Sequence, residues 1–183
     1  GVARALGNIG NVHQSLRESA QALPFLERWL ALSEELGDRT AVANAHGSIG
    51  SVHFHLNDYP KALSLYERSL ALMEGLGDRA GIASALGNIG LVHHRLGDYL
   101  KALSFMERAL AQFEELKDRA GVALALGNIG AVHDRLGDYP RALSSYQRSL
   151  ALCEEMGDQT GVARALENLA LARTIDVDRL RLA

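Results

Sequence analysis

Cysteine is nearly absent from this sequence of 183 residues, in which Cys153 stands alone. An intrachain disulfide is therefore excluded, and the fold must be held by side-chain packing, as is typical of a reducing compartment. The position of Cys153 in the repeat described below is filled elsewhere by Met73 and Phe113. We therefore predict a buried apolar role for Cys153, with a reactive thiol as the alternative.

Aromatic residues and long apolar runs are scarce too. Aromatics make up 5% of the chain although 48% is hydrophobic, which predicts a core of Ala, Leu, Val and Ile in closely packed helices. No apolar stretch approaches the roughly 20 residues that a membrane-spanning helix needs, and no secretory signal opens the chain. We expect no membrane partner and a cytoplasmic location.

Charge of one sign is also lacking. The chain has 19 Lys and Arg against 22 Asp and Glu, a formal net charge of −3, and neither sign forms a run. A nucleic-acid track or a polybasic membrane anchor would need such a run. The sequence therefore predicts no nucleic-acid partner.

What the sequence does contain is a repeat with a period of 40 residues. The clearest copy, at 85–99, reads ALGNIGLVHHRLGDY, and related stretches stand at 5–19, 45–59 and 125–139. A period this regular predicts one elongated domain, 1–183, because repeat units share a continuous core. The units are expected near 1–38, 39–78, 79–118 and 119–158, with a partial, capping unit at 159–183.

Each repeat carries two apolar patterns at helical spacing, which predicts an all-α fold without strands. In the third repeat we expect Leu86, Ile89, Val92 and Leu96 in the core. Helices are expected near 1–16, 20–36, 39–56, 59–76, 79–96, 99–116, 119–136, 139–156 and 159–173.

Short helix-ending signals separate the patterns. The first helix of a repeat ends at a residue that tolerates the left-handed conformation, namely Asn57, Gly97 or Gly137. The aspartates that follow are predicted to cap the second helix by accepting its first-turn amides, namely Asp58, Asp98 and Asp138. Successive repeats are joined in the same way, except that Lys117 replaces the glycine and predicts a less relaxed helix end.

The first and last repeats depart from the pattern. Pro24 falls inside a predicted helix, where it removes a hydrogen bond, so we expect a late start or a kink near residues 21–24. Trp29 fills a position that holds Ser or Ala in the other repeats, which indicates local splaying or adaptation to a neighbour. After Arg173 the pattern is lost and at most a short capping helix is expected. Because the chain opens inside a repeat, we expect it to be a fragment of a longer protein.

Two series of glycines recur inside the first helices. A mid-helix Gly costs about 1 kcal/mol relative to Ala, so one series is expected to mark close helix contacts: Gly10, Gly50, Gly90 and Gly130. The other series is expected either to open a groove floor to a ligand's backbone or to permit helix crossing: Gly7, Gly47, Gly87 and Gly127.

The motif Leu86-x-x-Ile89-Gly90-x-x-His93, followed by Gly97-Asp98-Tyr99 and Ala102-x-x-x-Met106, resembles the tetratricopeptide repeat. The long helices are similar to those of the LGN/Pins polarity scaffolds, of kinesin light chain and of bacterial tetratricopeptide regulators. This resemblance implies a right-handed superhelical solenoid of about four and a half helix-turn-helix repeats. It also implies a concave groove, lined by the first helices, that holds an extended or helical peptide.

The LGN/Pins resemblance further implies which residues contact the peptide. They are Arg4, Asn8, Asn11, Asn44, Ser48, Ser84, Asn88, Asn128, Arg164 and Asn168. One slot holds Asn in four repeats although Asn is a mediocre helix former, so propensity does not explain it. Its amide can both donate to and accept from a peptide backbone, and the alternative is that it fixes the register of neighbouring helices.

Other polar residues invite functional interpretations. We expect His94, Arg95, Asp134 and Arg135 to flank the groove, with a solvated surface as the alternative. One histidine recurs at the same position of each repeat, namely His13, His53, His93 and His133. We expect these side chains to pack between helices and to bind no metal. Packed helices stand about 8–10 Å apart, and no Asp, Glu or Cys lies at a metal-ligand spacing in the same helix. No cofactor is expected.

No nucleophile elbow, phosphate-binding loop or pair of catalytic acids is present, since GNIG lies inside a predicted helix. The sequence therefore predicts a non-catalytic scaffold, not an enzyme, that binds a protein or peptide partner. One alternative is a regulatory or sensory arm of a larger enzyme or signalling protein. Another is a self-assembly module that forms homo-oligomers through exposed terminal repeats.

Overall fold

The computed structural model describes residues 1–16 and 18–182, with side chains described as far as residue 172. Every regular element within these residues is an α-helix, which confirms the predicted fold class. The predicted boundaries of the first eight helices agree to within one residue. In chain order the helices are α1 (Val2–Ser15), α2 (Ser19–Glu35), α3 (Arg39–His55), α4 (Tyr59–Leu76), α5 (Arg79–Leu96), α6 (Tyr99–Leu116), α7 (Arg119–Arg135), α8 (Tyr139–Met156) and α9 (Gln159–Leu182).

One residue in each connection from α2 to α9 adopts the left-handed conformation that the sequence predicts. The backbone φ angle is 81° at Gly97, 61° at Asn57 and 57° at Lys117. Because Lys carries a Cβ, this conformation is strained at Lys117 and unstrained at Gly97. The expectation of a less relaxed helix end at Lys117 is thus confirmed.

Aspartates cap the following helices as predicted, with one exception. The carboxylates of Asp58 and Asp138 accept first-turn amides at 3.4 and 3.3 Å, which satisfies donors that have no partner within the helix. Asp98 occupies the same position before α6, but its side chain accepts no such amide. The capping prediction is wrong for Asp98, whose carboxylate instead lies 3.7 Å from the Lys101 ammonium.

The helices form two compact units, Gly1–Leu96 (unit 1) and Gly97–Ala183 (unit 2). Unit 1 contains α1 to α5, and unit 2 contains α6 to α9. Within each unit, helices that follow one another in the chain pack side by side as hairpins. The core is built from small and aliphatic side chains, and Cys153 is buried in unit 2, which confirms its predicted apolar role.

Glycines bring the helices of a hairpin close together. A Cβ added at Gly50 would lie 2.9 Å from Cε1 of Tyr66, and in unit 2 one at Gly130 would lie 2.6 Å from Cε1 of Tyr146. This confirms that these glycines mark close helix contacts. Burial raises the pKa of Tyr66 and of Tyr146 to about 12, so both phenols are neutral at physiological pH.

Both ends of the chain were expected to depart from regular helices. Of the two alternatives for the second helix, the late start is not seen, because α2 begins at Ser19 with Pro24 inside it, and the kink stays a prediction. Ala22 and Leu26 of that helix are fully buried, so packing outweighs the one hydrogen bond that proline removes. At the other end, the expected end of the last helix at residue 173 is wrong. Helix α9 continues to Leu182, since no Gly or Pro interrupts the backbone after residue 161.

One predicted core residue lies at the surface. Leu86, Ile89 and Val92 are buried as expected, but Leu96 is 48% exposed. Leu96 is the last residue of α5, three residues beyond His93, the last buried residue of that helix. Apolar periodicity alone does not distinguish the last turn of a helix from its middle.

Candidate functional site

Two adjoining cavities open on unit 1. The first, of about 420 Å³, is lined mainly by α3, α4 and α5, and α1 and α2 contribute the rest of the lining. The second, of about 410 Å³, lies near the first turns of α1 and α3. Asn11, Trp29 and Asn44 line both cavities, so we describe the two together as the unit 1 groove.

The structure brings together every peptide-binding residue that was predicted in unit 1. The first cavity is lined by Asn11, Asn44, Ser48, Ser84 and Asn88. The second cavity adds Arg4 and Asn8. These residues come from three helices that are separate in sequence, and each helix contributes the same one or two turns because the repeats are in register.

Asn11 and Ser48 join α1 to α3 across the groove. The Ser48 hydroxyl donates to Oδ1 of Asn11 at 3.1 Å, and Nε2 of Gln14 donates to the Ser48 carbonyl at 2.6 Å. Fixing the register of neighbouring helices was the alternative role for the recurring asparagines. Here that role falls to Asn11, which stands three residues beyond the recurring slot.

The asparagines that recur at the same position of each repeat do not join neighbouring helices in this way. The side chains of Asn8 and Asn88 make no hydrogen bond to another described residue, and the same holds for Asn44. Each of these amides therefore keeps a donor and an acceptor that no other described residue uses. The alternative that the recurring asparagines fix the register of neighbouring helices therefore receives no support at Asn8 or Asn88.

The α4 side of the first cavity consists of neutral groups. The Ser69 hydroxyl donates to the carbonyl of Ala43 at 2.9 Å, and the Tyr66 hydroxyl shares a hydrogen bond with Ser51. Among the described residues that line this cavity there is no Lys, Arg, Asp, Glu or His. Because the pKa of Tyr66 is raised to about 12 by burial, the lining is uncharged at neutral pH.

Trp29 lines both cavities of the unit 1 groove and was not predicted as a binding residue. Its ring lies over Gly7, where an added Cβ would stand 2.9 Å from Cδ2 of the indole. At the equivalent Gly47 the nearest atom is Oγ of Ser69 at 3.6 Å, an ordinary contact distance. Helix crossing therefore does not require glycine at Gly47, which favours an open groove floor there. The signal for Trp29 was a large ring at a position that otherwise holds Ser or Ala.

Unit 2 carries the remaining predicted binding residues. Asn128 on α7 and Asn168 on α9 are half-buried, Arg164 is exposed, and none makes a hydrogen bond to another described residue. The Ser149 hydroxyl donates to the carbonyl of Ala123 at 2.7 Å, which repeats the Ser69 contact of unit 1. Leu124 stands at the repeat position that Asn44 holds in unit 1, so this face of unit 2 has fewer hydrogen-bonding groups.

The residues predicted to flank the groove lie outside the linings of the unit 1 cavities. The guanidinium of Arg95 stands 5.8 Å from the centre of the Phe54 ring, a cation–π distance. His94 and Arg135 are half-buried and exposed, respectively. Oδ1 of Asp134 is buried without a hydrogen-bond partner among the described residues, and the charge of Asp134 adds to burial in raising the pKa of Tyr146. Their flanking role stays a prediction.

Histidines occupy packed positions, as the sequence predicts. His53, His93 and His133 are buried, while His13 is half-buried, stacks on Phe25 with ring centres 5.5 Å apart and shares a 2.7 Å hydrogen bond with Glu18. The described side chains include no cluster of three or more His, Cys, Asp or Glu that is placed to hold a metal ion. Over the same part of the chain, no helix combines the length and apolarity that crossing a membrane requires.

His46 is a further departure that the sequence reasoning did not single out. It occupies the position of Leu86 and Leu126 in the core, and only 7% of its surface is exposed. Burial lowers the pKa of His46, as does the charge of Arg68, whereas Glu34 acts in the opposite direction. Its Nδ1 atom is buried without a hydrogen-bond partner among the described residues.

Helical hairpins that repeat every 40 residues, with small residues at their contacts and polar residues along one face, define a helical-repeat protein. The chain belongs to the tetratricopeptide repeat family, whose model matches residues 1–75 and 81–155. No functionally curated protein matches the sequence at a significant level.

Several solved structures share the fold. Aspartyl phosphate phosphatase F from Bacillus subtilis matches 93% of this chain with a TM-score of 0.86 and 18% identity, over 45% of its own length. BtubC (BKLC) from P. vanneervenii matches 94% of this chain with a TM-score of 0.81 and 18% identity, over 72% of its length. A Rap protein complexed with competence and sporulation factor matches 97% with a TM-score of 0.84 and 19% identity, over 53% of its length. The chain thus spans about half of the first and third of these proteins.

Proposed function

We propose that this chain is a non-catalytic interaction scaffold whose unit 1 groove binds a peptide or helix of a partner protein. The main support for this proposal is that every binding residue predicted in unit 1 lines one of two cavities. The two cavities share Asn11, Trp29 and Asn44. Membership of the tetratricopeptide repeat family supports the proposal. So does one similar structure, a Rap protein complexed with competence and sporulation factor.

The groove supplies the groups that hold a peptide. The amides of Asn44 and Asn88 donate to and accept from the peptide's main chain, because the fold uses neither of them. Gly47 leaves room for that main chain to approach the floor. Trp29 offers an aromatic surface to a side chain of the peptide. Arg4, in the second cavity, pairs with a carboxylate of the peptide.

The corresponding face of unit 2 is proposed to contribute as well. Asn128, Arg164 and Asn168 occupy the same repeat positions as the groove residues of unit 1 and keep unused polar groups. We place His94, Arg95, Asp134 and Arg135 at the edges of these faces. Because unit 2 offers fewer polar groups, its face is expected to bind a peptide more weakly than the unit 1 groove does.

The test compares the native chain with an Asn44→Ala/Asn88→Ala double variant. Each is immobilised and used to capture proteins from a lysate of the source organism, and peptides from any protein lost with the double variant are synthesised for affinity measurement. We expect the double variant to bind such a peptide at least about tenfold more weakly, since two hydrogen-bonding side chains are removed.

The matched control is Gln147→Ala, which removes an exposed amide from α8. Gln147 lines neither cavity, so binding should match that of the native chain. Equal affinity of the double variant and the native chain would overturn the groove as the binding site.

A second candidate is a regulatory or sensory arm of a larger enzyme or signalling protein. It is favoured by the fact that the chain spans 45% of the phosphatase and 53% of the Rap protein. The coding sequence on either side of this segment tests it directly. A catalytic or signalling domain in the same reading frame would support this candidate, and a stop codon or further repeats alone would refute it.

A further inference from the structure

The first cavity of the unit 1 groove is unusual for a surface of this chain because its lining is uncharged. Its described lining consists of amides, hydroxyls, small residues, Met73 and the rings of Trp29 and Tyr66. In the whole sequence 22% of residues are charged, yet none of the residues that line this cavity is. A ligand therefore meets hydrogen-bonding groups here and no counter-charge.

The amides that are free in this cavity match a neutral ligand. Asn44 and Asn88 each offer one donor and one acceptor, which is the complement of a peptide group. Ser48 and Ser84 are less available, because their hydroxyls already donate to Oδ1 of Asn11 and to the carbonyl of Ala80. The unused polar groups thus complement a main chain and offer no counter-charge to an ionised side chain.

A charged ligand side chain at this point would lose water without gaining an ion pair. Such a loss is costly, because neutral hydrogen bonds replace only part of the hydration of an ionised group. Among the described side chains that line the two cavities, the charged ones, Arg4 and Asp38, both line the second. The Asp38 carboxylate accepts the amide of Ala41 at 3.0 Å and keeps its negative charge, so Arg4 is the side chain of that lining that can pair with a ligand carboxylate.

We infer that the unit 1 groove selects a peptide segment that is uncharged where it lies against Asn44 and Asn88, and that accepts a carboxylate only at the Arg4 end. This inference rests on the proposed function and narrows it to one class of ligand. The partner is then recognised through a neutral segment bound by its main chain, with Trp29 contacting one of its side chains.

The experiment uses a phage library of random dodecapeptides, selected on the full native chain. Peptides that also bind the Asn44→Ala/Asn88→Ala variant are discarded, so the remainder depend on the groove. We expect these peptides to contain a central segment depleted of Asp, Glu, Lys and Arg relative to the unselected library. Placing Glu or Lys in that segment of a selected peptide should weaken its affinity about tenfold, the factor that 1.4 kcal/mol produces.

A charge placed in the cavity provides the second arm. Asn88→Asp is nearly isosteric and introduces a carboxylate without removing a core side chain, so the same selection should now enrich Lys or Arg in the central segment. Gln147→Glu puts the same charge on the exposed face of α8, and its selected peptides should match those of the native chain.

The outcomes separate the two proposals. Groove-dependent peptides that carry central charges as often as the unselected library would overturn the inference and leave the proposed function standing. The inference is likewise overturned if Asn88→Asp leaves the selected peptides unchanged. If no peptide prefers the native chain over the double variant, both the inference and the proposed groove fail.

Discussion

The indole ring of Trp29 lies against the backbone of Gly7, so closely that a Cβ at residue 7 would stand 2.9 Å from Cδ2 of the ring. In the second repeat, Gly47 faces Ser69, whose hydroxyl bonds the carbonyl of Ala43. The first repeat thus has a large ring where the second has a small hydrogen-bonding residue. The ring requires glycine opposite it, whereas the hydroxyl does not.

This difference makes Gly7→Ala and Gly47→Ala a matched pair. Alanine favours a helix over glycine by about 1 kcal/mol at either site, but at residue 7 it also forces the rigid indole to move, at about 1–3 kcal/mol. We expect Gly7→Ala to be less stable than Gly47→Ala by about that second amount in urea unfolding. In a Trp29→Ser background the difference should disappear, and equal stabilities in the native background would contradict the contact.

A second pair lies within one helix. A Cβ at Gly130 would stand 2.6 Å from Cε1 of Tyr146, whereas one at Gly127 has only Oγ of Ser149 at 3.7 Å. Gly127→Ala should therefore leave stability unchanged or raise it by up to about 1 kcal/mol, and Gly130→Ala should lower it by about 1–3 kcal/mol. Thermal and urea unfolding of the two variants measure this, and a stable Gly130→Ala would refute close packing between α7 and α8.

Buried hydroxyls hold each hairpin together. Ser69 and Ser149 donate to carbonyls on the preceding helix at 2.9 and 2.7 Å, and both are buried. Substituting either by Ala should cost about 0.5–1.5 kcal/mol of unfolding free energy, because the hydrogen bond is lost inside the core. Ser145→Ala serves as the control, since Ser145 bonds a carbonyl of its own helix at an exposed site. Equal stability of all three variants would contradict the prediction.

His46 predicts a pH dependence of stability. Its pKa in the folded state lies below the ordinary histidine value of 6.5, mainly because of burial, so the unfolded chain takes up a proton first as the pH falls. The His46 contribution to stability is therefore present above pH 6.5 and is lost as the pH falls through the folded-state pKa.

We expect His46→Leu to be more stable than the native chain at pH 5 to 7, because the equivalent residues of the next two repeats, Leu86 and Leu126, are buried leucines. The stability of this variant should also depend less on pH, because the titrating imidazole is removed. Urea unfolding at several pH values measures both effects. His55→Gln is the control, since His55 is exposed at the end of the same helix. An unchanged pH dependence in His46→Leu would assign the effect to other groups.

Much of the fold follows from short-range signals. The left-handed Gly97 and the capping Asp138 mark helix boundaries because only particular residues satisfy those backbone positions. The extension of α9 was not predicted, because its residues lose the apolar period without containing a helix breaker. The exposure of Leu96 was missed for a related reason: a period identifies a helix face but not how far the neighbouring helix covers it.

The candidate site was predictable to the extent that it repeats. Asn8 and Asn88 were found because the same residue returns at the same position of the repeat, and the structure places both in the groove lining. Trp29 and His46 were not assigned, because each occurs once and its meaning depends on which side chain stands opposite. Pairings such as Trp29 with Gly7 exist only in three dimensions.

Trp29 is the single tryptophan of the chain, and it lines both cavities of the unit 1 groove. The ultraviolet fluorescence of this chain therefore originates mainly beside the groove. A peptide that enters either cavity removes water from the indole, which should shift the emission to shorter wavelength in a saturable titration. The groove thus contains its own optical reporter, so binding can be followed on the native chain without a label.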